Sequence, residues 1–246
     1  MNWIFSVIYL IGVTVGAQNL ASKFKICSRS DPKINDCLES AINDALPVLS
    51  TDLSDYGLAP VIPMRVAKWT IHPVPPLTFE QSYENFELWN ELQSKVSNVR
   101  AELSDTSFAL TLNMVNSNVP LYADYNYRNA IFDNIDISSK GKYECLMKEY
   151  KATISFIGEI KKTAGVDYVV ITNVTTISSN AEKLTFTYVS EGDPQVGNII
   201  TQKFNEEWYD ILVLAKGNYS LIFSEAYKNA ANSVFSLIPY NVLFPK

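Results

Sequence analysis

The sequence predicts an α+β fold in which a long C-terminal α-helix is wrapped by a highly curved antiparallel β-sheet, with a short disulfide-tethered helix at the N-terminal end. Three observations carry this. Apolar residues alternate with polar ones from about Val61 to Val189, the signature of half-buried strands. From Ile200 to Phe235 they recur at three- and four-residue spacing, which is helical. Cys27 and Cys37 bracket the start of an apolar-periodic stretch.

The first seventeen residues, Met1 to Ala17, contain no charged side chain and end in Val15-Gly16-Ala17. Such a run falls short of the roughly 20 apolar residues that span a bilayer, and it ends in small residues suited to signal peptidase. Residues 1–17 are therefore expected to be a removed signal peptide, and residues 18–246 one secreted, extracellular domain. In an oxidising compartment the Cys27–Cys37 pair, with nine residues between, is expected to close a disulfide worth roughly 3 kcal/mol. Cys145 is left over and is expected to be a buried small hydrophobe. Asn173 and Asn218 head N-x-S/T triplets and are expected glycosylation acceptors.

Ser30-Asp31-Pro32 marks a helix start, and Ile34, Cys37, Leu38, Ala41, Ile42, Ala45 and Leu46 give the following helix one apolar face, ending around Pro47 to Leu49. The strand rows begin with Phe108, Leu110, Leu112 and Met114, then Leu121, Ala123, Tyr125 and Tyr127. Ala152, Ile154, Phe156, Gly158 and Ile160 follow, then Val166, Tyr168, Val170, Thr172 and Val174, and last Leu184, Phe186 and Tyr188. Turn chemistry at Asn116 to Asn118, Ser138 to Gly141, Lys161 to Gly165 and Ser178 to Asn180 separates these rows and predicts an antiparallel meander. The closing helix, about thirty-five residues and roughly 50 Å long, supplies a cover for the apolar face, with Gly217-Asn218 as a kink or break.

Composition narrows the function. Twenty basic and twenty-six acidic residues leave a formal charge of −6, which disfavours nucleic acid and anionic lipid surfaces as partners. The single histidine, His72, lies between Ile71 and Pro73, and no G-x-S-x-G elbow or phosphate loop occurs, so no catalytic residue is assigned. One histidine and one unpaired cysteine do not make a zinc site, and no cofactor is implied. Glu206, Glu207 and Asp210 read as a solvated helix face.

The Cys27/Cys37 pair around Ser30-Asp31-Pro32, Gly141-x-Tyr143, Gly197-Asn198-Ile199-Ile200 leading to Phe204-Asn205-Glu206-Glu207-Trp208, and the ending Ile238-Pro239-Tyr240 with Leu243-Phe244-Pro245 together resemble the insect takeout and juvenile hormone binding protein family. The resemblance implies a long helix wrapped by a bent sheet enclosing an apolar tunnel, similar to the lipid-carrying modules of larger tubular lipid-binding proteins. It implies a secreted, monomeric carrier of a small hydrophobic ligand such as a terpenoid hormone, fatty acid or other lipid, without stable membrane insertion and with an unidentified receptor. The alternative reading is a secreted defence or recognition protein that binds microbial lipid. Phe108, Tyr143, Phe156, Trp208, Leu212 and Phe223 are the expected ligand-lining residues.

Overall fold

The computed structural model describes residues 20–246, so the expected signal peptide lies outside the described residues. Helix α1 spans Ile34–Leu49, four residues after the expected start at Ser30. Cys27 is bonded to Cys37 on its first turn. Seven strands then build one antiparallel sheet: β1 (Met64–Ile71), β2 (Gln81–Leu88), β3 (Lys95–Leu103), β4 (Ser107–Tyr127), β7 (Ser139–Thr163), β8 (Val166–Asn180) and β9 (Lys183–Ser190). A separate two-stranded hairpin, β5 (Ile131–Phe132) with β6 (Ile135–Asp136), links β4 to β7.

Two strands dominate. β4 runs for 21 residues and β7 for 25, about 80 Å for the longer at ~3.3 Å per residue. Each changes neighbour midway. The first half of β4 pairs with β3 and its second half with β2, whereas the first half of β7 pairs with β9 and its second half with β8. Strand twist accumulated over such lengths curls the sheet into a half-barrel.

This arrangement differs from the expected meander. Asn116 to Asn118 is not a turn but the middle of β4, paired with Tyr150 and Lys148 of β7. The Asn116 side chain is buried and donates to the Asn90 carbonyl at 2.8 Å and to Ser94 Oγ at 3.0 Å. The amide chemistry read as a turn instead braces a neighbouring segment. In β8 the expected inward row of Val166, Tyr168, Val170 and Thr172 is not the buried one: Val169, Ile171 and Val174 are. Bulges leave Thr172 and Ile177 without partners on β7, and the first resets the alternation before Val174.

The C-terminal cover is three helices end to end, α2 (Pro194–Glu206), α3 (Trp208–Leu214) and α4 (Lys216–Phe235), with a last turn α5 (Tyr240–Leu243). The expected continuous helix is thus broken at Glu207 and Ala215, and Gly217 lies inside α4. The apolar stripe survives both breaks because Phe204, Ile211, Ala215 and Ile222 all still point inward. Gly197 brings α2 onto β9, since a Cβ there would lie 2.8 Å from the Tyr188 carbonyl oxygen. Helix α4 touches β8 at one sheet edge and β1 at the other, so it occupies the concave side.

Edge strands are capped by asparagines. Asn43 of α1 bonds both the N–H and C=O of Val96 on β3, Asn205 of α2 does the same to Phe186 on β9, and Asn232 of α4 to Ile171 on β8. Each amide substitutes for a missing neighbouring strand and blunts the edge. Asn232→Ala removes two such bonds and orphans a backbone pair, so urea denaturation should show a loss of about 2 kcal/mol. A loss below about 0.5 kcal/mol would mean that water replaces the amide freely.

At the closed end Arg29, its side chain 6% exposed, joins Asp105 at 2.9 Å and Asn241 at 2.7 Å and stacks on Tyr240 at 4.6 Å. Tyr240 donates to the Ser104 carbonyl at 2.8 Å. The N-terminal segment, the β3–β4 turn and the C-terminus are thereby held together.

Candidate functional site

Between α1, the concave face of β3, β4 and β7, and the second half of α4 lies an apolar cavity of about 260 Å³, partly open to solvent. The sheet contributes large side chains, among them Phe108, Leu112, Met114, Ile154 and Phe156. The helices contribute both large side chains, such as Leu38, Ile42, Leu46 and Phe235, and small ones, Ala41 and Ala45 from α1 and Ala230 and Ala231 from α4. Where the alanines line the cavity no long side chain reaches across, which leaves room, since close packing needs residues that interdigitate. An aromatic group of Phe108, Phe235 and Phe244, with ring centroids 5.5–6.5 Å apart, closes one end.

The opposite end is a wall of Glu91, Tyr227, Tyr150 and Phe223. Tyr150 stacks on Phe223 at 5.6 Å, and Phe223 meets Tyr227 at 6.2 Å. Glu91 and Tyr227 line the large cavity, whereas Tyr150 and Phe223 line a second cavity of about 50 Å³. Glu91 begins the short 3-10 turn Glu91–Gln93, which follows Asn90 in the left-handed region (φ 64°) and is held by the Asn116 brace. The residue is 2% exposed, and neither carboxyl oxygen makes a hydrogen bond of good geometry; the Tyr227 hydroxyl, which neighbours Glu91 and Tyr150, makes none either. Burial pushes the Glu91 carboxyl up to about 8, only partly offset by Tyr227, and burial likewise raises the Tyr227 hydroxyl well above its ordinary value.

Beyond the small cavity lies a cluster of buried aromatic side chains. Tyr83, Tyr127 and Tyr188 form a hydroxyl chain with links of 2.7 and 2.9 Å. The buried Gln81 Oε1 accepts from Tyr83 at 3.0 Å and from Tyr219 at 2.7 Å. Phe204 packs against Tyr127 and Tyr188. The tunnel expected along the whole helix is therefore a cavity at one end and an aromatic plug at the other.

The expected lining residues divide accordingly. Phe108 and Phe156 line the large cavity, while Tyr143, Leu212 and Phe223 line the small one. Trp208 lines neither and stands half-buried beneath the Lys183 ammonium, 4.4 Å from the ring. Sequence reasoning omitted all of α1, whose Ala41 and Ala45 lie four apart on the apolar face; small residues on two apolar helix stripes were the available signal. It also omitted Glu91, which reads as an ordinary polar turn residue.

Among the other residues considered, Cys145 is free and buried, and burial pushes its thiol up to about 12. The His72 side chain is 83% exposed at the end of β1. Asn173 is exposed on β8, and Asn218 is half-buried in the first turn of α4. No helix among the described residues is long and apolar enough to cross a membrane.

The family model of haemolymph juvenile hormone binding protein matches residues 5–245. The crystal structure of Epiphyas postvittana Takeout 1 is similar in fold, with a TM-score of 0.67 at 15% identity over 90% of this chain and 100% of that one. A lipopolysaccharide binding protein structure, 12% identical over 81% of this chain and 38% of that one, reaches a TM-score of 0.36, too low to carry an argument. No curated protein matches the sequence. With the family model covering nearly its whole length, the chain belongs to the haemolymph juvenile hormone binding protein family.

Proposed function

We propose that the protein is a secreted carrier that holds one small hydrophobic molecule, a terpenoid, acyl chain or similar lipid, in the cavity between α1, the sheet and α4. One observation carries the reading: a cavity of about 260 Å³ between the helices and the sheet, lined almost wholly by apolar side chains. Apolar cavities take up apolar ligands; an enclosed one of about 150 Å³ accommodates a benzene ring. The volume here lies just below the roughly 300–1,000 Å³ of ligand clefts, which favours a compact terpenoid or medium acyl chain. Each methylene moved out of water contributes about 0.8 kcal/mol. The membership in a family named for binding juvenile hormone supports the same class of ligand. Secretion is supported by the Cys27–Cys37 disulfide and by the uncharged run from Met1 to Ala17.

Protein purified from the medium of expressing cells should release a stoichiometric apolar compound into organic solvent, read by mass spectrometry. After delipidation it should bind a fluorescent fatty-acid probe at a single site. Absence of both extracted compound and probe binding would overturn the proposal.

A further inference from the structure

We propose that Glu91 and Tyr227 form a polar anchor for the head group of the ligand, and that this head group is a hydroxyl: the cargo is an apolar alcohol. The inference rests on the carrier reading above and specifies its ligand. It starts from an anomaly. Buried polar atoms in folded proteins are nearly always hydrogen-bonded, yet both Glu91 oxygens and the Tyr227 hydroxyl, on residues 2% and 5% exposed, make no hydrogen bond of good geometry, even to each other, and lie in the wall of the large apolar cavity.

The position of Glu91 is built. Asn116 holds the Asn90 carbonyl and Ser94, the two residues flanking the short turn that carries it. Tyr227 reaches the same wall from α4, where its ring packs on Phe223. The surrounding ionisable groups are few: Tyr150 of β7, which both residues influence, and Lys25, which lines the same cavity but is bonded to Ser40 Oγ at 2.9 Å. No cation among the described residues pairs with Glu91.

The chemistry of the pair selects the ligand. A carboxyl accepts through its oxygens in either protonation state, and a tyrosine hydroxyl both donates and accepts. An alcohol satisfies both at once, donating to Glu91 and accepting from Tyr227. A pure acceptor such as an ester can take the protons of the neutral Glu91 carboxyl and of Tyr227 but offers no donor to the Glu91 carbonyl oxygen. A fatty carboxylate brings its own charge out of water into an apolar wall with no cation to pair it, and it too offers no donor to that oxygen. Burial keeps the Glu91 carboxyl neutral up to about 8, which suits a neutral polar head better than an ammonium.

Competition against the fluorescent probe with decanol, decane, decanoic acid and decylamine tests the assignment on the full-length secreted protein. Glu91→Leu and the milder Tyr227→Phe should each weaken decanol by about tenfold or more and leave decane within about twofold. Equal losses for decanol and decane, or no loss for either, would overturn the anchor. Tighter binding of decanoic acid or decylamine than of decanol would overturn the alcohol assignment. If the wild-type protein binds none of these, nor the probe, it is the carrier reading that fails, and that outcome is distinct from retained decane binding without a decanol preference.

Discussion

Raising the pH from about 5 to about 8 should destabilise the ligand-free protein by several kcal/mol more than it destabilises a Glu91→Gln variant. The carboxyl of Glu91 titrates near 4.5 in the unfolded chain and near 8 in the folded one, and desolvation is the leading cause. Below the unfolded value both states hold the proton, and the group is neutral to folding. Between the two values the unfolded chain has released its proton while the folded chain keeps it, so stability falls with rising pH. Each unit of separation is worth about 1.4 kcal/mol. Above the folded value both are ionised, the full penalty stands, and the slope vanishes. The amide that replaces the carboxyl in the variant fills the same space and does not titrate in this range. Surface carboxylates such as Asp105 and Asp124, held low by hydrogen bonds from Lys246 and Lys142 respectively, are common to both proteins and cancel in the difference. Urea denaturation of both across that range reads it directly. Parallel stability curves would show that water reaches Glu91 and that the wall between the cavities is open.

That penalty ties the fold to the proposed site. The carboxyl is costly where it stands, and a ligand that pairs with it only in the folded state offsets the cost by mass action. Packing does not explain Glu91, since the neighbouring Leu92 shows that the same short turn also buries an apolar side chain.

How much of this was legible beforehand depends on whether the deciding interaction is local. The inward row of Phe108, Leu112 and Met114 on β4 and of Ala152 and Ile154 on β7 follows from alternation alone, and those residues are buried. The helical stripe from Ile200 to Phe235 likewise identified the element that fills the concave face. The breaks at Glu207 and Ala215 were hidden because the stripe continues across them. Bulges in β8 were hidden because Thr172 and Ile177 are ordinary strand residues, and only pairing with β7 shows them to be supernumerary. Asn116 carried a local turn preference that long-range pairing overrode. For the site, strand alternation could say that Phe108 and Phe156 share an inward row, and helical spacing that Phe223 lies on the apolar stripe, but neither says which end of the interior is packed. That is decided by the Tyr83–Tyr127–Tyr188 chain meeting Gln81 and Phe204, residues from four separate elements.

Filling the large cavity should abolish carriage without unfolding the protein. Ala231 lies on the face of α4 that lines the space, and Ala231→Phe would place a phenyl ring where a side chain now stops at Cβ. Since a benzene ring is accommodated by about 150 Å³ of apolar cavity, the new ring consumes more than half of the 260 Å³ available. An acyl ligand then loses room for about four or five carbons. At about 0.8 kcal/mol each, affinity for the fluorescent fatty-acid probe should fall by at least a hundredfold. The folded state should gain contacts or stay level, because the ring enters a void and not a packed region. Leu212→Trp is the contrasting change. Its site is the 50 Å³ cavity beside Tyr143 and Phe223, where an indole overfills the space and should cost about 1–3 kcal/mol of stability, with probe affinity within about threefold of wild type. The two variants thus trade places, one losing binding and the other losing stability. If Ala231→Phe bound the probe normally and Leu212→Trp did not, the ligand would reside beneath α3, and the space under α1 would have another purpose.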